Sequence, residues 1–262
     1  MTFQVAVPAG WAEWNAAWLA RAHARWAARA EAARPTRIRC WLRSPLSGDG
    51  GYTPLTALEG ALQTAVIALE TGQPPDDVYQ GIGDGYSPPS IPIAETMVGG
   101  LPIPRASIAV APSVAVEGTR WRRKKARAEV LGLEKVLIAG GPFKSLNIPV
   151  WTCVTPYVDV HAVVDLERLR PLLREVSGLG RDATRGLGGI LGFELEEQVE
   201  DWSWSRAGVL MRPMPAAWDG IGECDPSTWE MRTTGVRAPY WHHAVRCDAY
   251  VPTWWRERTE AA

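Results

Sequence analysis

The stretch "GLGRDATRGLGGI" (178–190) spaces Gly180, Gly186 and Gly188 as G-x-x-x-x-x-G-x-G and carries Arg181, Thr184 and Arg185 within the same turn. Glycines at these points permit positive φ and remove the Cβ atoms that would hold a ligand away, so backbone N–H groups can reach phosphate oxygens. The arginines add charge-assisted hydrogen bonds and the threonine a hydroxyl for the same kind of target. No Gly-Lys-Ser/Thr follows, and the spacing is not the G-x-G-x-x-G that opens a helix after a strand. Mononucleotide and dinucleotide loops are therefore excluded. A polyanion backbone fits the loop, and the plainer alternative is a helix-to-strand connection with solvated arginines.

A second basic group lies at Arg120, Arg122, Arg123, Lys124, Lys125 and Arg127 beside Trp121, and Lys144 is grouped with it. A strand or hairpin tip so charged cannot be buried. With Arg37, Arg39 and Arg43 on the polar face of an earlier strand, these residues suit a surface that tracks phosphates and offers aromatic planes for bases.

RNA cleavage would need a general acid or base near the scissile phosphate. The histidines are His23, His161, His242 and His243, and "YWHH" (240–243), with Tyr240 adjacent, is the best candidate pair. His161, at a predicted strand end, reads as structural. No Ser-His-Asp, metal-ligand or paired-carboxylate arrangement is legible, and Cys40, Cys153, Cys224 and Cys247 lie too far apart for a zinc or disulfide framework. Neither a cofactor nor a metal is expected. Glu194, Glu196, Glu197, Glu200 and Asp201 read as a solvated strand edge or a surface for a basic partner.

The elements that must hold these residues follow from pattern. Residues 11–33 are alanine-rich without Gly or Pro and predict a helix ending before Pro35, with Trp11, Trp14 and Trp18 on one face and Arg21 and Arg25 continuing it. Residues 36–46 alternate as a half-buried strand. Residues 53–72 predict a helix with Thr53 as N-cap, Pro54 at its first position and Gly72 as its stop. The Pro- and Gly-rich 73–105 reads as a long surface loop. Two short β segments are expected over 106–130, then a strand at 148–164, a helix at 165–178 and a strand at 189–199.

The order predicts an α+β fold, a ferredoxin-like antiparallel sheet with helices on one face. The chain has 262 residues, a net charge of −1, and 14 Trp against 3 Phe, so local charge says more about partners than overall charge does. With no eighteen-residue apolar run and no signal-like leader, a soluble cytoplasmic protein without membrane contact is expected.

"LGRDATRGLGGI" resembles the glycine-rich loop of the RAMP superfamily of CRISPR-associated proteins. The order of "SPLSGDGGYTPLTALEGAL", "LPIP", "WRRKKARAE", "VTPYVDV", "DWSW" and "LMRPMP" around it is similar to the type IV effector subunit that caps the crRNA 5′ handle. The resemblance spans roughly 36–252. It implies a non-enzymatic RNA-binding subunit of a ribonucleoprotein complex in antiviral defence. Its partners would be crRNA, the backbone-forming and large effector subunits, and target DNA. The alternative within the superfamily is a repeat-processing endoribonuclease.

On this reading residues 1–35 form an N-terminal basic helix, 36–200 the RAMP domain with a β-hairpin extension, and 201–262 a C-terminal extension. The helix is an addition to the family pattern, and Asp182 stands where a second basic residue would follow Arg181. Arg21, Arg25 and Arg29 fall nearly on one side of that helix, which is therefore expected to lie along nucleic acid and to be removable without unfolding the body.

Overall fold

Alternation in "ARPTRIRCWL" buries Thr36, Ile38, Cys40 and Leu42 and turns the arginines outward, making Ala33–Leu42 (β1) the central strand of the main sheet. The computed structural model describes residues 10–48, 57–73, 87–112, 115–124, 146–180, 183, 186–240 and 242–254. Antiparallel partners flank β1: Tyr157–Asp165 (β7) on one side and Ile190–Glu197 (β8) on the other. The remaining strands are β2 (Leu46–Gly48), β3 (Glu95–Val98), β4 (Leu101–Pro104), β5 (Ala115–Lys124) and β6 (Leu146–Val154). Beyond β8 come β9 (Ser205–Arg206), β10 (Val209–Leu210), β11 (Met214–Pro215), β12 (Trp229–Gly235) and β13 (Arg246–Pro252). Smaller antiparallel sheets form in the orders β2-β6-β5 and β11-β13-β12, with β3-β4 and β9-β10 as ribbons. The fold is α+β.

Among the described residues, three helices cover one face of the main sheet: α1 (Trp11–Trp26), α2 (Leu58–Thr71) and α3 (Leu166–Leu173). Trp18, Ala22 and Trp26 of α1, Leu62 and Val66 of α2, and Leu169 and Leu172 of α3 pack with Ile38, Cys40, Val158 and Val160 in one core. Gly72 (φ 66) ends α2 as expected, its N–H donating to the Ala68 carbonyl. Helix α2 starts later than its sequence suggests, with Ala57 as N-cap; Thr53 and Pro54 lie outside the described residues.

Two further expectations change. Helix α1 stops at Trp26 because Arg29 turns to Asp165 at the end of β7, with Nε–Oδ2 at 2.6 Å and Nη2–Oδ1 at 3.0 Å, while its backbone N–H meets the same carboxylate. This bidentate contact overrides the helix propensity of the alanines that follow. Residues 91–110 are no surface loop: Ile91, Ile93, Ile103, Ile108 and Ala109 are buried. The segment runs along the free side of β7 as irregular bridges, Ile93 to Val164, Ala106 to Ala162 and Val110 to Asp159, because its prolines deny the N–H groups a regular ladder needs.

A second core gathers Val98, Ile103, Leu210, Met214, Val236 and Ala249 under Trp204, Trp218 and Trp229. Glu59, on the first turn of α2 and fully buried, reaches across to it. Its Oε1 accepts from the Ala238 N–H and the Tyr240 hydroxyl at 2.8 Å each, and its Oε2 lies 3.2 Å from Arg212 Nη1. Arg212 also donates to the carbonyls of Pro104, Ala106 and Val236. No helix among the described residues is long and apolar enough to cross a membrane.

Removing one member of a buried ion pair leaves the other uncompensated. Arg212→Met is expected to lower the unfolding free energy by about 3–5 kcal/mol in urea titrations. Deleting residues 1–34 removes Trp18, Ala22 and Trp26 from the core. The remaining chain is expected to lose cooperative unfolding by calorimetry, contrary to the separable helix that its sequence suggests. The Arg29 guanidinium holds the Asp165 carboxyl down at about 2, below the ordinary 3.8. That contribution to stability is complete above pH 3.8 and is lost as pH falls through about 2. Urea midpoints of Asp165→Asn are expected to fall relative to the parent at neutral pH and to converge with it in acid.

Candidate nucleic-acid interface

The glycine loop joins α3 to β8, and its two ends pair with each other before β8 begins. Leu179 N–H donates to the Gly188 carbonyl at 2.8 Å, Gly178 bridges Gly189, and Ile190 N–H donates to the Ser177 carbonyl. Gly180, Gly186 and Gly188 all have positive φ (93°, 86° and 63°). At Gly188 a Cβ would stand 1.9 Å from the Leu179 carbonyl oxygen, so only glycine lets the loop close.

The base of the loop is docked on the segment that follows β1. Gly188 N–H donates to the Pro45 carbonyl (2.7 Å), Gly189 N–H to Ser44 Oγ (2.8 Å), and Arg43 N–H to the Gly189 carbonyl (2.8 Å). Several amides are therefore spent inside the fold: Gly186 donates to Ala183 and Gly188 to Pro45. Those two glycines shape the loop. Among the described residues, nothing accepts from the N–H groups of Gly180 and Leu187, which are the donors left for an anion. Arg181, Thr184 and Arg185 lie outside the described residues.

The basic strand is reached through the same junction. Leu46, one residue past Pro45, begins β2, which pairs with β6, which in turn pairs with β5. Arg120, Arg122, Arg123 and Lys124 occupy the far half of β5, opposite Val150, Ile148, Asn147 and Leu146. Lys125 and Lys144 lie outside the described residues. The topology thus places the basic half of the β5–β6 hairpin and the glycine loop at the two ends of one antiparallel extension.

The remaining cations divide by how they are neutralised. On the polar face of the main sheet, Arg39 is held by Asp159 through Nε–Oδ1 at 2.8 Å and Nη2–Oδ2 at 2.9 Å, and Arg37 pairs with Glu196. Their charge is matched across strands instead of standing ready for phosphate. In α1, Arg21 and Arg25 are 58% and 63% exposed and share Glu70, which also accepts from Trp26 Nε1 at 2.9 Å. Arg29 does not share a helix face with them, because it lies beyond the end of α1 on Asp165 and Glu167.

The histidines are similarly engaged. His161 is buried, its Nδ1 2.9 Å from Gln198 Oε1 and its ring edge-on to Trp202; burial pushes its pKa down. His23 Nδ1 meets Ser90 Oγ at 2.9 Å. His242 stacks on His243 and its Nδ1 accepts from the Ala244 N–H. The Tyr240 hydroxyl donates to Glu59 in the buried Glu59–Arg212 group, where burial and the adjacent carboxylate push it well above the ordinary 10.0.

Two groupings escaped the sequence reading. The Glu59–Arg212–Tyr240 cluster had a faint signal: a Glu among core positions of α2 and an Arg inside the apolar "LMRPM". The ring pair of Trp41 and Tyr157, on directly opposed residues of β1 and β7, is visible only once the register is known. No protein-family model and no curated protein sequence matches this chain.

Proposed function

We propose that the chain is the RNA-binding subunit of a type IV CRISPR effector complex, holding the 5′ handle of crRNA and helping to engage target DNA. The observation that carries the reading is the loop between α3 and β8: its glycines take positive φ, its base is pinned beside β1, and the amides of Gly180 and Leu187, which meet no acceptor among the described residues, belong to the stretch that by sequence carries Arg181, Thr184 and Arg185. Such an array suits successive phosphate oxygens of a backbone. The order β8, β1, β7, extended by isolated antiparallel bridges from 91–110 and covered by helices on one face, is compatible with a ferredoxin-like sheet and supports the same assignment.

Holding is favoured over cleavage because the tyrosine of the best candidate trio spends its hydroxyl proton on the buried Glu59. A general acid or base must reach the proton it moves. Arg21 and Arg25 are the exposed cations of α1 and the residues through which that helix would meet duplex DNA.

The test is to purify the protein from cells expressing its neighbours and to sequence the nucleic acid that accompanies it. Short RNAs sharing one 5′ end are expected; clean protein or heterogeneous RNA would overturn the handle-holding role. In a salt titration with single-stranded RNA, the quadruple Ala variant of Arg120, Arg122, Arg123 and Lys124 is expected to flatten the slope of log K against log salt by up to about 3. An unchanged slope would remove the β5 strand from the interface.

A further inference from the structure

We infer that Trp41 and Tyr157, on the polar face of the main sheet, form a stacking site for a base of single-stranded RNA whose backbone lies at the glycine loop; this rests on the RNA-holding reading above. The two residues are directly opposed in the β1–β7 register, and their rings meet edge to face with centroids 5.0 Å apart at 63°. Both are only half-buried. Among the described residues nothing bonds to the Trp41 indole N–H or the Tyr157 hydroxyl, whereas such tips find a partner when they are closed into a core.

Arg39 braces the pair. Its guanidinium carbon sits 3.8 Å from the Tyr157 ring centroid and 5.8 Å from that of Trp41, while its charge is answered by Asp159. Glu194, opposite Arg39 in the β1–β8 register, adds a second carboxylate beside the rings, so the site offers aromatic surface without spare positive charge, which favours a base face over a phosphate. Room is supplied on the other side of Trp41 by its β8 partner Gly192, where a Cβ would meet nothing within 4 Å. Any larger residue there would narrow the shelf.

The position also fits. Arg43, two residues past Trp41, donates its N–H to Gly189 at the base of the loop. Along an extended strand that separation is about 7 Å, short enough for one nucleotide to rest its backbone at the loop and its base on the ring. At the far end of the same face the protein packs a ring of its own against the sheet: Trp202 lies edge-on to His161 at 5.2 Å, with Arg206 over the indole at 4.1 Å. There the chain closes over the sheet; at Trp41 and Tyr157 it leaves the rings half-exposed. Because duplex bases are stacked and paired, only a single strand can offer a base to such a shelf.

The experiment uses the full chain and a 12-nucleotide RNA bearing 5-iodouridine at single positions. Irradiation followed by peptide mass spectrometry is expected to place the cross-link on Trp41 or Tyr157. Trp41→Ala is expected to weaken binding of the same RNA about tenfold, within the range for one stacked base. The salt slope should stay unchanged, since no charge is removed. Trp41→Phe, which keeps a ring, should retain most of the affinity. Wild-type protein that binds the RNA but cross-links elsewhere, with Trp41→Ala binding equally well, overturns the stacking site and leaves the RNA-holding reading standing. Wild-type protein that binds no RNA overturns that reading and the site with it.

Discussion

The buried contact between Glu59 and Arg212 is the constraint on which the arrangement of the two cores depends. One partner opens α2 over the main sheet; the other lies in the segment between β10 and β11, inside the second core. A carboxylate and a guanidinium taken out of water repay their desolvation only when nearly every polar atom is met. Here the carboxylate has four donors and the guanidinium reaches three carbonyls besides. Those carbonyls belong to Pro104, Ala106 and Val236, so a single side chain joins the edge segment, the C-terminal sheet and the first turn of α2. Geometry of that kind tolerates one register.

With the edge segment held in place, the main sheet has one apolar and one polar face, and the two serve different ends. The apolar face is closed by three helices, including the first, whose tryptophans make it part of the core. The polar face is written in cross-strand pairs, Arg37 with Glu196 and Arg39 with Asp159, which cancel charge locally. Exposed positive charge is displaced from the sheet to α1, where Arg21 and Arg25 share a single carboxylate, and, by sequence, to the β5–β6 extension. The proposed RNA path follows that division: backbone at the glycine loop and the basic strand, base on the neutral rings between them.

Much of this was legible in the residues. Alternation located β1 and β8, the α+β class followed from element order, and the glycines of the loop announced a turn that only positive φ could make; the single strand expected over 148–164 is instead split at Thr155 and Pro156 into β6 and β7, which join different sheets. The limits were also physical. Alanine propensity extended α1 past Trp26, and prolines made 91–110 look like surface, because neither signal contains the long-range partner that decides the matter. Arginine types suggested a continuous phosphate surface, yet whether an arginine is free depends on which carboxylate lies across the strand.

The sequence by itself therefore determined the local elements, the loop that must be glycine and the places where cations are concentrated, since these depend on backbone sterics and on periodicity within a few residues. Tertiary structure alone decided that Arg29 belongs to Asp165, that Glu59 and Arg212 lock the two cores, and that Trp41 meets Tyr157 beside an open glycine. Each of those joins residues more than a hundred positions apart. Their pairing is set by register and packing, which no local pattern encodes.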